Sequence, residues 1–242
     1  MAPRIGIGLG SSFIANNSLI EVPPNDISGL QIWYKNDTNV AVGQWDDSSG
    51  NARHAVQGTS NQQASVSGGG LDFSSIDPED FYQITTDTSA LLDVKHPNAF
   101  TLAIVIKREG GASDNNVIFA STASNNFIGV LNENGIAVHG ANVVFTGDPW
   151  DDNQLLLTIT KDTSGNLLFY KNGVAEAITS GDTTATGTSD MLLDYFGCTR
   201  DGTNADDKHF DGVIYELALY NTQLTGSDLY SLNSYLIEKF GL

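Results

Sequence analysis

The sequence predicts an all-β domain, either a sandwich or a barrel, that carries one helix at its C-terminal end. Short segments with alternating apolar residues recur at intervals of about ten residues, between clusters of Gly, Ser, Asn and Asp, as in such folds. Of the 29 acidic residues, 22 are Asp, which suits turns, and seven are Glu, which suits helix faces. A chain of 242 residues can bury a core without disulfides or metal ions.

The predicted strands follow one another along the chain with turn residues between them. They are Leu30–Tyr34, Gly70–Phe73, Phe81–Ile84, Phe100–Lys107, Val117–Ala120, Phe127–Leu131, Ile136–His139, Gln154–Thr160, Asn166–Tyr170, Val174–Ala177, Met191–Phe196 and Val213–Tyr220. Two of them alternate clearly enough to define an inward face, formed by Leu102, Ile104, Ile106, Leu155, Leu157 and Ile159. Asn134–Gly135 and Asn172–Gly173 predict hairpin turns, because Asn and Gly tolerate positive φ.

One helix is predicted over residues 225–240. Thr225 is a favourable N-cap, and Asp228 lies near the positive end of the helix dipole. Lys239 occupies the last turn and Gly241 ends the helix. We expect its apolar stripe to cap the sandwich, with the residues Leu229, Leu232, Leu236 and Phe240.

Residues 1–25 are predicted to form an arm ahead of one domain that spans residues 26–242. Pro23 and Pro24 close this segment as a stiff, extended spacer. Its alternating glycines lack the spacing of a dinucleotide-binding motif. It also lacks the continuous apolar stretch of a signal peptide. We therefore expect the protein to be made in the cytoplasm of a host cell. The candidate partner-anchoring residues are Ile5, Ile7, Leu9, Phe13 and Ile14.

The charge balance excludes several classes of partner. The formal net charge is −18 and the isoelectric point is about 4.2, so the basic surface that nucleic acids and anionic membranes require is absent. No apolar stretch is long enough for a membrane-spanning helix. The single cysteine, Cys198, excludes an intrachain disulfide and is expected to be a buried apolar residue.

Several blocks of sequence resemble concanavalin A-like jelly-roll modules of the laminin G type. The opening is Leu30–Tyr34 followed by Trp45–Asn51, and the characteristic hairpin is Asn166–Gly173. The strongest block is Phe210–Tyr220, together with the C-terminal helix. This resemblance covers the chain from Ile27 to Leu242 and implies two antiparallel sheets in a jelly-roll sandwich with a C-terminal capping helix.

The resemblance does not by itself select a function, because this fold carries lectins, glycanases and structural modules. The C-terminal helix resembles versions found in bacterial and phage surface or structural proteins.

No catalytic set is predicted. Glycanases of this fold pair carboxylates on one strand, as in Glu-x-Asp-x-x-Glu, and no such triplet occurs. Glu216 is expected to have Ile214 and Ala218 as its same-face neighbours, so it lacks a carboxylate partner. We interpret it as a carboxylate that is hydrogen-bonded to the C-terminal helix or to a loop. The four histidines are scattered without zinc-binding spacing, and the protein is therefore predicted not to be an enzyme.

Calcium and glycans are the remaining ligand classes. Three oxygen-rich loops suit calcium, at residues 46–51, 148–153 and 201–207, but none has a complete ligand spacing, so no metal ligand is assigned. Trp150 is the candidate glycan-binding residue if its ring is exposed; the alternative is that it plugs the end of the sandwich. Trp33 and Trp45 are expected in the core.

Two functions follow as hypotheses. The first is a non-catalytic virion structural protein, a phage capsid decoration or fibre component on the virion surface, whose arm contacts other virion proteins or a second copy of itself. The alternative is a carbohydrate-binding adhesion module for cell-surface glycans, with or without calcium. An exposed Trp150 favours this alternative, and a buried Trp150 counts against it.

Overall fold

The computed structural model describes residues 22–73, 80–84, 93–109, 116–121, 127–131, 134–145, 150, 153–189, 191–198 and 209–242. Within these residues the chain forms two antiparallel sheets and one α-helix, as the sequence predicts. The candidate anchors Ile5, Ile7, Leu9, Phe13 and Ile14 lie outside the described residues. No described helix combines the length and the apolar character that crossing a membrane requires.

The described strands are numbered in chain order. They are β1 (Leu30–Tyr34), β2 (Val40–Ala41), β3 (Gln44–Trp45), β4 (Ala55–Val56), β5 (Ser65–Ser67), β6 (Gly70–Asp72), β7 (Tyr82–Ile84), β8 (Phe100–Arg108), β9 (Asn116–Ala120), β10 (Phe127–Leu131), β11 (Gly135–Val138), β12 (Ala141–Phe145), β13 (Leu155–Lys161), β14 (Leu167–Lys171), β15 (Val174–Ala175), β16 (Ile178–Gly181), β17 (Tyr195–Phe196) and β18 (Gly212–Tyr220). The helix α1 spans Gly226–Phe240.

The strands divide into two sheets. The first has the order β15-β14-β13-β8-β18-β6-β5, with β1 paired to the other half of β18. The second has the order β16-β12-β11-β10-β9-β17-β7-β4-β3-β2. Non-consecutive neighbours such as β8 and β18 mean that segments distant in sequence meet at the centre of the first sheet, which is typical of a jelly roll.

The first sheet is buried on both faces. One face of β8 and β13 contributes to the core between the sheets, and the predicted inward set is confirmed there: Leu102, Ile104, Ile106, Leu155, Leu157 and Ile159. The alternate side chains Ala103, Val105 and Leu156 pack under α1, against Leu229, Leu232 and Leu236. The capping position predicted for the helix is therefore confirmed.

The ends of α1 agree with the prediction, with one difference at its start. Thr225 has the extended backbone of an N-cap, φ −142° and ψ 167°, but its side chain makes no capping hydrogen bond. Gly241 ends the helix in the left-handed region, at φ 67°, and its N–H donates to the Ile237 carbonyl.

Contacts with the domain begin before the predicted boundary at residue 26. Val22 packs against the apolar cluster under α1. Pro24 is buried within a short 3₁₀ helix, and its carbonyl accepts a hydrogen bond from the Tyr220 hydroxyl at 3.0 Å. Residues 22–25 therefore pack as part of the domain.

The sequence missed several short strands, namely β2, β3, β4, β5, β12 and β16. Four of these have two or three residues, too few for alternation to be visible. The turn before β12 is His139–Gly140, with φ values of 46° and 84°, and His-Gly is not a usual hairpin signal. Conversely, the predicted strand over residues 191–196 reduces to Tyr195–Phe196 and an isolated bridge at Leu192.

Candidate functional site

The tryptophans are buried. Trp150 has an exposed fraction of 1% and belongs to the core between the sheets, so it presents no ring face to a sugar. This corrects the interpretation of Trp150 as an exposed glycan-binding residue and agrees with the alternative of a buried ring. It counts against a sugar site at Trp150, so a carbohydrate-binding function requires a different site. The large apolar ring of Trp150 gains more from burial than the surrounding polar loop sequence suggests. Trp33 and Trp45 are buried, as predicted.

Glu216 is buried under α1 with its carboxylate fully engaged. Its Oε1 accepts a hydrogen bond from the Trp33 indole at 2.9 Å, and its Oε2 accepts one from the Asn36 backbone N–H at 3.1 Å. The Lys239 ammonium of α1 also contacts Oε2. The interpretation of Glu216 as a carboxylate bonded to the helix or to a loop is confirmed, and it bonds to both.

Of the two residues predicted to share a face with Glu216, Ala218 does so and Ile214 does not. The register of β18 shifts between Ile214 and Glu216, which indicates a β-bulge. Ile214 faces the core between the sheets, whereas Ala218 packs under α1 on the side of Glu216. The bulge inserts one residue, Tyr215, which also packs on the helix side. It changes the phase of the alternation, which a simple period of two cannot anticipate.

The oxygen-rich loop at residues 46–51 is organised by its own hydrogen bonds. The Asp47 carboxylate accepts the backbone N–H groups of Trp33, Ser49 and Arg53 and the Ser49 hydroxyl, at distances of 2.7–3.0 Å. These bonds use the oxygens that a cation would need. Among the described residues no group of three or more His, Cys, Asp or Glu could hold a metal ion. The loop at 201–207 and most of the one at 148–153 lie outside the described residues.

A polar cleft of about 570 Å³ is lined by Asp93, Pro97, Asn98, Ala99, Thr163, Asn221 and Thr222. Its carboxylate is already engaged by its own loop and by a distant segment: Asp93 accepts the N–H groups of Lys95 and Met191 and pairs with the Lys95 ammonium at 2.9 Å. Burial works to raise the pKa of Asp93, but these hydrogen bonds outweigh it and hold the pKa below its usual value. The Asn98 amide nitrogen donates to the Asp93 carbonyl.

A second recess lies between α1 and the β14–β15 hairpin, and we call it the helix–hairpin groove. It has a volume of about 410 Å³ and is lined by Tyr170, Asn172, Gly173, Val174, Gly226, Leu229, Tyr230, Asn233, Ser234 and Ile237. None of these side chains is charged, although the protein carries a net charge of −18. Tyr230 is 58% exposed and Tyr170 is half-buried, so two aromatic rings border the groove.

The turn of the hairpin determines the shape of the groove. Asn172 and Gly173 have φ values of 47° and 76°, which confirms the predicted hairpin turn. A Cβ atom added to Gly173 would lie 3.0 Å from the Ile237 Cδ1 atom, so glycine lets the hairpin approach the helix closely. Asn172 is fixed by two bonds to Leu156: its N–H donates to the Leu156 carbonyl, and its Oδ1 accepts the Leu156 N–H at 2.8 Å.

Asn233 lines the groove with a side-chain amide whose nitrogen is open to a ligand. Its exposed fraction is only 5%, and its Oδ1 accepts the hydroxyl of Thr158 at 2.7 Å. Within the described residues, its amide nitrogen makes no hydrogen bond. The same holds for the amide nitrogen of Asn172, as far as the described part of the chain goes. Two amide donors therefore line an uncharged groove with aromatic borders.

Sequence reasoning missed this groove. Asn172–Gly173 was recognisable only as a turn, and Asn233 is a polar residue within a helical apolar stripe. The one sequence feature that could have indicated the groove is Tyr230. It follows the buried Leu229, so its aromatic ring lies beside the apolar stripe of α1 that faces the sheet.

The two sheets and the helix define a jelly-roll sandwich, and the sequence assigns its family. Residues 79–229 match the Concanavalin A-like lectin/glucanases superfamily, of the laminin G type. This match covers more than half of the chain, so the protein belongs to that superfamily. The match ends at Leu229, inside α1, so part of the groove lies beyond it. A search of curated proteins finds no match.

Solved structures share the fold at low sequence identity. The sialidase of Trypanosoma rangeli in complex with sialic acid matches with a TM-score of 0.60 and 14% identity, over 87% of this chain and 33% of the sialidase chain. A structure of botulinum neurotoxin type C, whose cell entry depends on interaction with two ganglioside molecules, matches with a TM-score of 0.59 and 16% identity, over 88% of this chain and 52% of that chain. The protein thus spans a third to about half of the chains it matches, and these similarities establish the fold.

Proposed function

We propose that this protein is a non-catalytic carbohydrate-binding module that holds a sugar ring in the helix–hairpin groove. The observation that carries the proposal is the combination, in one recess, of two aromatic borders, an uncharged lining and two amide nitrogens that have no partner among the described residues. Membership of a superfamily named for lectins and glucanases supports it. The ganglioside interaction named for the botulinum neurotoxin structure supports the same class of ligand.

The chemistry of a sugar ring matches this lining. One face of a pyranose carries C–H groups, which pack on aromatic and apolar side chains, and its oxygens accept hydrogen bonds from amides. Tyr230 offers the exposed ring, and Asn233 offers a donor at the floor. The Asn233 amide nitrogen keeps contact with solvent, so water can accept from it in the free protein, and a ligand oxygen that accepts from it takes the place of that water.

The polar cleft fits a sugar less well. The Asp93 carboxylate and the Asn98 amide are already hydrogen-bonded within the protein, and none of the described residues that line the cleft is aromatic. A ligand there would have to displace those bonds. The helix–hairpin groove is therefore the better site.

The absence of catalysis is part of the proposal. Retaining glycanases need two carboxylates about 5–5.5 Å apart, and the Glu216 carboxylate is instead held by Trp33, Asn36 and Lys239. Incubation of the protein with bound oligosaccharides should release no shorter products by mass spectrometry. Turnover of any bound oligosaccharide would contradict the proposal.

Binding itself is tested on a glycan array, followed by calorimetric titration with the sugars that bind. Tyr230→Ala removes an exposed ring without opening the core, and we expect it to weaken binding at least tenfold. Val66→Ala is the matched control, because Val66 is 43% exposed on β5, at the other edge of the same sheet. An array without any bound glycan contradicts the function, and undiminished binding by Tyr230→Ala contradicts the site.

The virion hypothesis rests on residues 1–25, most of which lie outside the described residues, and it stays a prediction. The hypothesis is tested with a variant that lacks residues 1–21 but keeps residues 22–25, which pack on the domain. The variant and the full chain are compared for co-sedimentation with purified particles of the virus to which the hypothesis assigns the protein. Sedimentation of the full chain alone would support the arm as an anchor. Failure of both to sediment would contradict the hypothesis.

A further inference from the structure

The floor of the helix–hairpin groove has donors surrounded by apolar side chains. Leu229 and Ile237 stand four residues before and after Asn233, so they lie on the same face of α1, one turn on either side of its amide. Val174, which is 69% exposed, lies across the groove on the hairpin. A ligand group that enters here meets the amide nitrogens of Asn172 and Asn233, the Ser234 side chain and several methyl groups.

The amide oxygens at this floor are already used. Asn233 Oδ1 accepts the Thr158 hydroxyl, and Asn172 Oδ1 accepts the Leu156 N–H, which fixes the orientation of that amide. A sugar hydroxyl bound to the Asn233 nitrogen would have its own proton to place in an apolar setting, at a cost in affinity. A carbonyl oxygen has no proton and only accepts, so it fits the donor without this penalty.

The lining also determines which charge a ligand can carry. The described residues that line the groove include no lysine, arginine or histidine, and the whole protein is strongly acidic. A carboxylate, such as that of an acidic sugar, would lose its hydration without gaining a cation. The ligand group that combines a carbonyl acceptor with a methyl group, and carries no charge, is an acetamido group.

We infer that the helix–hairpin groove selects N-acetylated amino sugars, with the acetamido oxygen accepting from Asn233 and the acetamido methyl packing between Leu229, Ile237 and Val174. This inference rests on the proposed carbohydrate-binding function and specifies its ligand class. A plain hexose is expected to bind in the same groove more weakly.

The test compares four methyl glycosides, those of N-acetylglucosamine, N-acetylgalactosamine, glucose and galactose. Saturation-transfer NMR on the full chain detects binding down to millimolar affinity and reports which ligand protons touch the protein. We expect the N-acetylated pair to bind at least tenfold more tightly, with the strongest transfer to the acetamido methyl. Equal binding of all four sugars overturns the selectivity but leaves the function standing. If none of the four sugars gives a saturation-transfer signal and the array shows no bound glycan, both the selectivity and the carbohydrate-binding function are overturned.

Two variants locate the selectivity. Asn233→Asp keeps an oxygen for the Thr158 hydroxyl but replaces the amide donor, so the preference for N-acetylated sugars should be lost. Val174→Ser changes a side chain that is 69% exposed, and it should reduce transfer to the acetamido methyl severalfold. Val42→Ser is its control, since Val42 is 50% exposed next to β2 of the other sheet. An unchanged preference in both Asn233→Asp and Val174→Ser overturns the assignment.

Discussion

Two buried polar side chains lie between the first sheet and α1, and they differ in how completely they are hydrogen-bonded. Glu216 has partners on both carboxylate oxygens, from β1, from the following loop and from the helix. Among the described residues, Asn233 has a partner for its oxygen only, and its side chain lines the groove. The first group therefore joins elements of the fold, whereas the second has capacity left for a ligand.

The largest expected effect comes from removing the satisfied group. Glu216→Leu leaves the Trp33 indole N–H and the Asn36 N–H without their acceptor and separates Lys239 from its carboxylate. We expect a loss of about 3 kcal/mol in the free energy of unfolding, at the lower end for a broken buried pair because Lys239 can reach solvent. Urea denaturation measures it. Glu216→Gln, which keeps one acceptor, should lose less; equal stability of Glu216→Leu and wild type would break the comparison.

Removing the partner of Asn233 should have a smaller effect. Thr158→Val leaves the Asn233 oxygen without its donor, and we expect a loss of about 1–2 kcal/mol. Because replacing both partners by apolar groups is nearly neutral, Thr158→Val combined with Asn233→Leu should cost less than the sum of the single changes. Urea denaturation of the four proteins of this cycle gives the coupling. Strict additivity would show that the two side chains do not interact.

The shape of the groove is tested at Gly173. Gly173→Ala places a methyl group against Ile237 at a residue with φ 76°, so it should cost about 1 kcal/mol and narrow the groove. Gly50→Ala is the control, because Gly50 has φ 88° but a Cβ atom added there would have no atom within 4 Å. Thermal unfolding and sugar titration of both variants separate backbone strain from contact. Sugar binding that survives in Gly173→Ala would argue against this groove as the site.

A third buried polar group should give the smallest effect. Lys161 is buried in the first sheet, where its ammonium donates to the Val94 carbonyl and lies 5.6 Å from the ring of Phe100. Burial lowers the pKa of Lys161 from 10.5 to about 8. The unfolded chain therefore binds more protons than the folded one above pH 8, and stability from this group rises with pH towards 10.5.

The measurement for Lys161 is urea denaturation at pH 8 and pH 9. Wild type should gain less than about 1 kcal/mol over this interval relative to Lys161→Met, in which the titrating amine is absent. The interval stops at pH 9 because burial also raises the pKa of Tyr34, Tyr82 and Tyr220. The effect of these tyrosines on the free energy of unfolding begins above pH 9. Parallel curves for the two proteins would contradict a lowered pKa.

The parts of the fold that depend on local patterns could be predicted from the sequence. The alternation in β8 and β13 defined the core face, and the spacing of Leu229, Leu232 and Leu236 defined the face of the helix. The bulge at Tyr215 could not be predicted, because one inserted residue changes the phase without leaving a composition signal. The same holds for Trp150, whose burial is decided by tertiary packing around a polar loop sequence.

The candidate site depends on contacts between segments about 60 residues apart. Asn172 and Gly173 were predicted as a turn, but nothing local indicates that this turn packs against Ile237 or that Asn233 faces it. A polar residue within an apolar stripe can also be a core residue whose side chain is fully hydrogen-bonded. Glu216 in β18 is such a residue, whereas Asn233 is not. Only the count of hydrogen bonds in the folded structure separates the two cases.

The most direct test of this distinction is a ¹H–¹⁵N NMR titration of the full chain with methyl N-acetylglucosaminide. The side-chain amide resonances of Asn233 and Asn172 should shift as the sugar binds, while the indole N–H resonance of Trp33, held by Glu216, should stay in place. A bound sugar that shifts the Trp33 indole and leaves both amides unchanged would contradict the account.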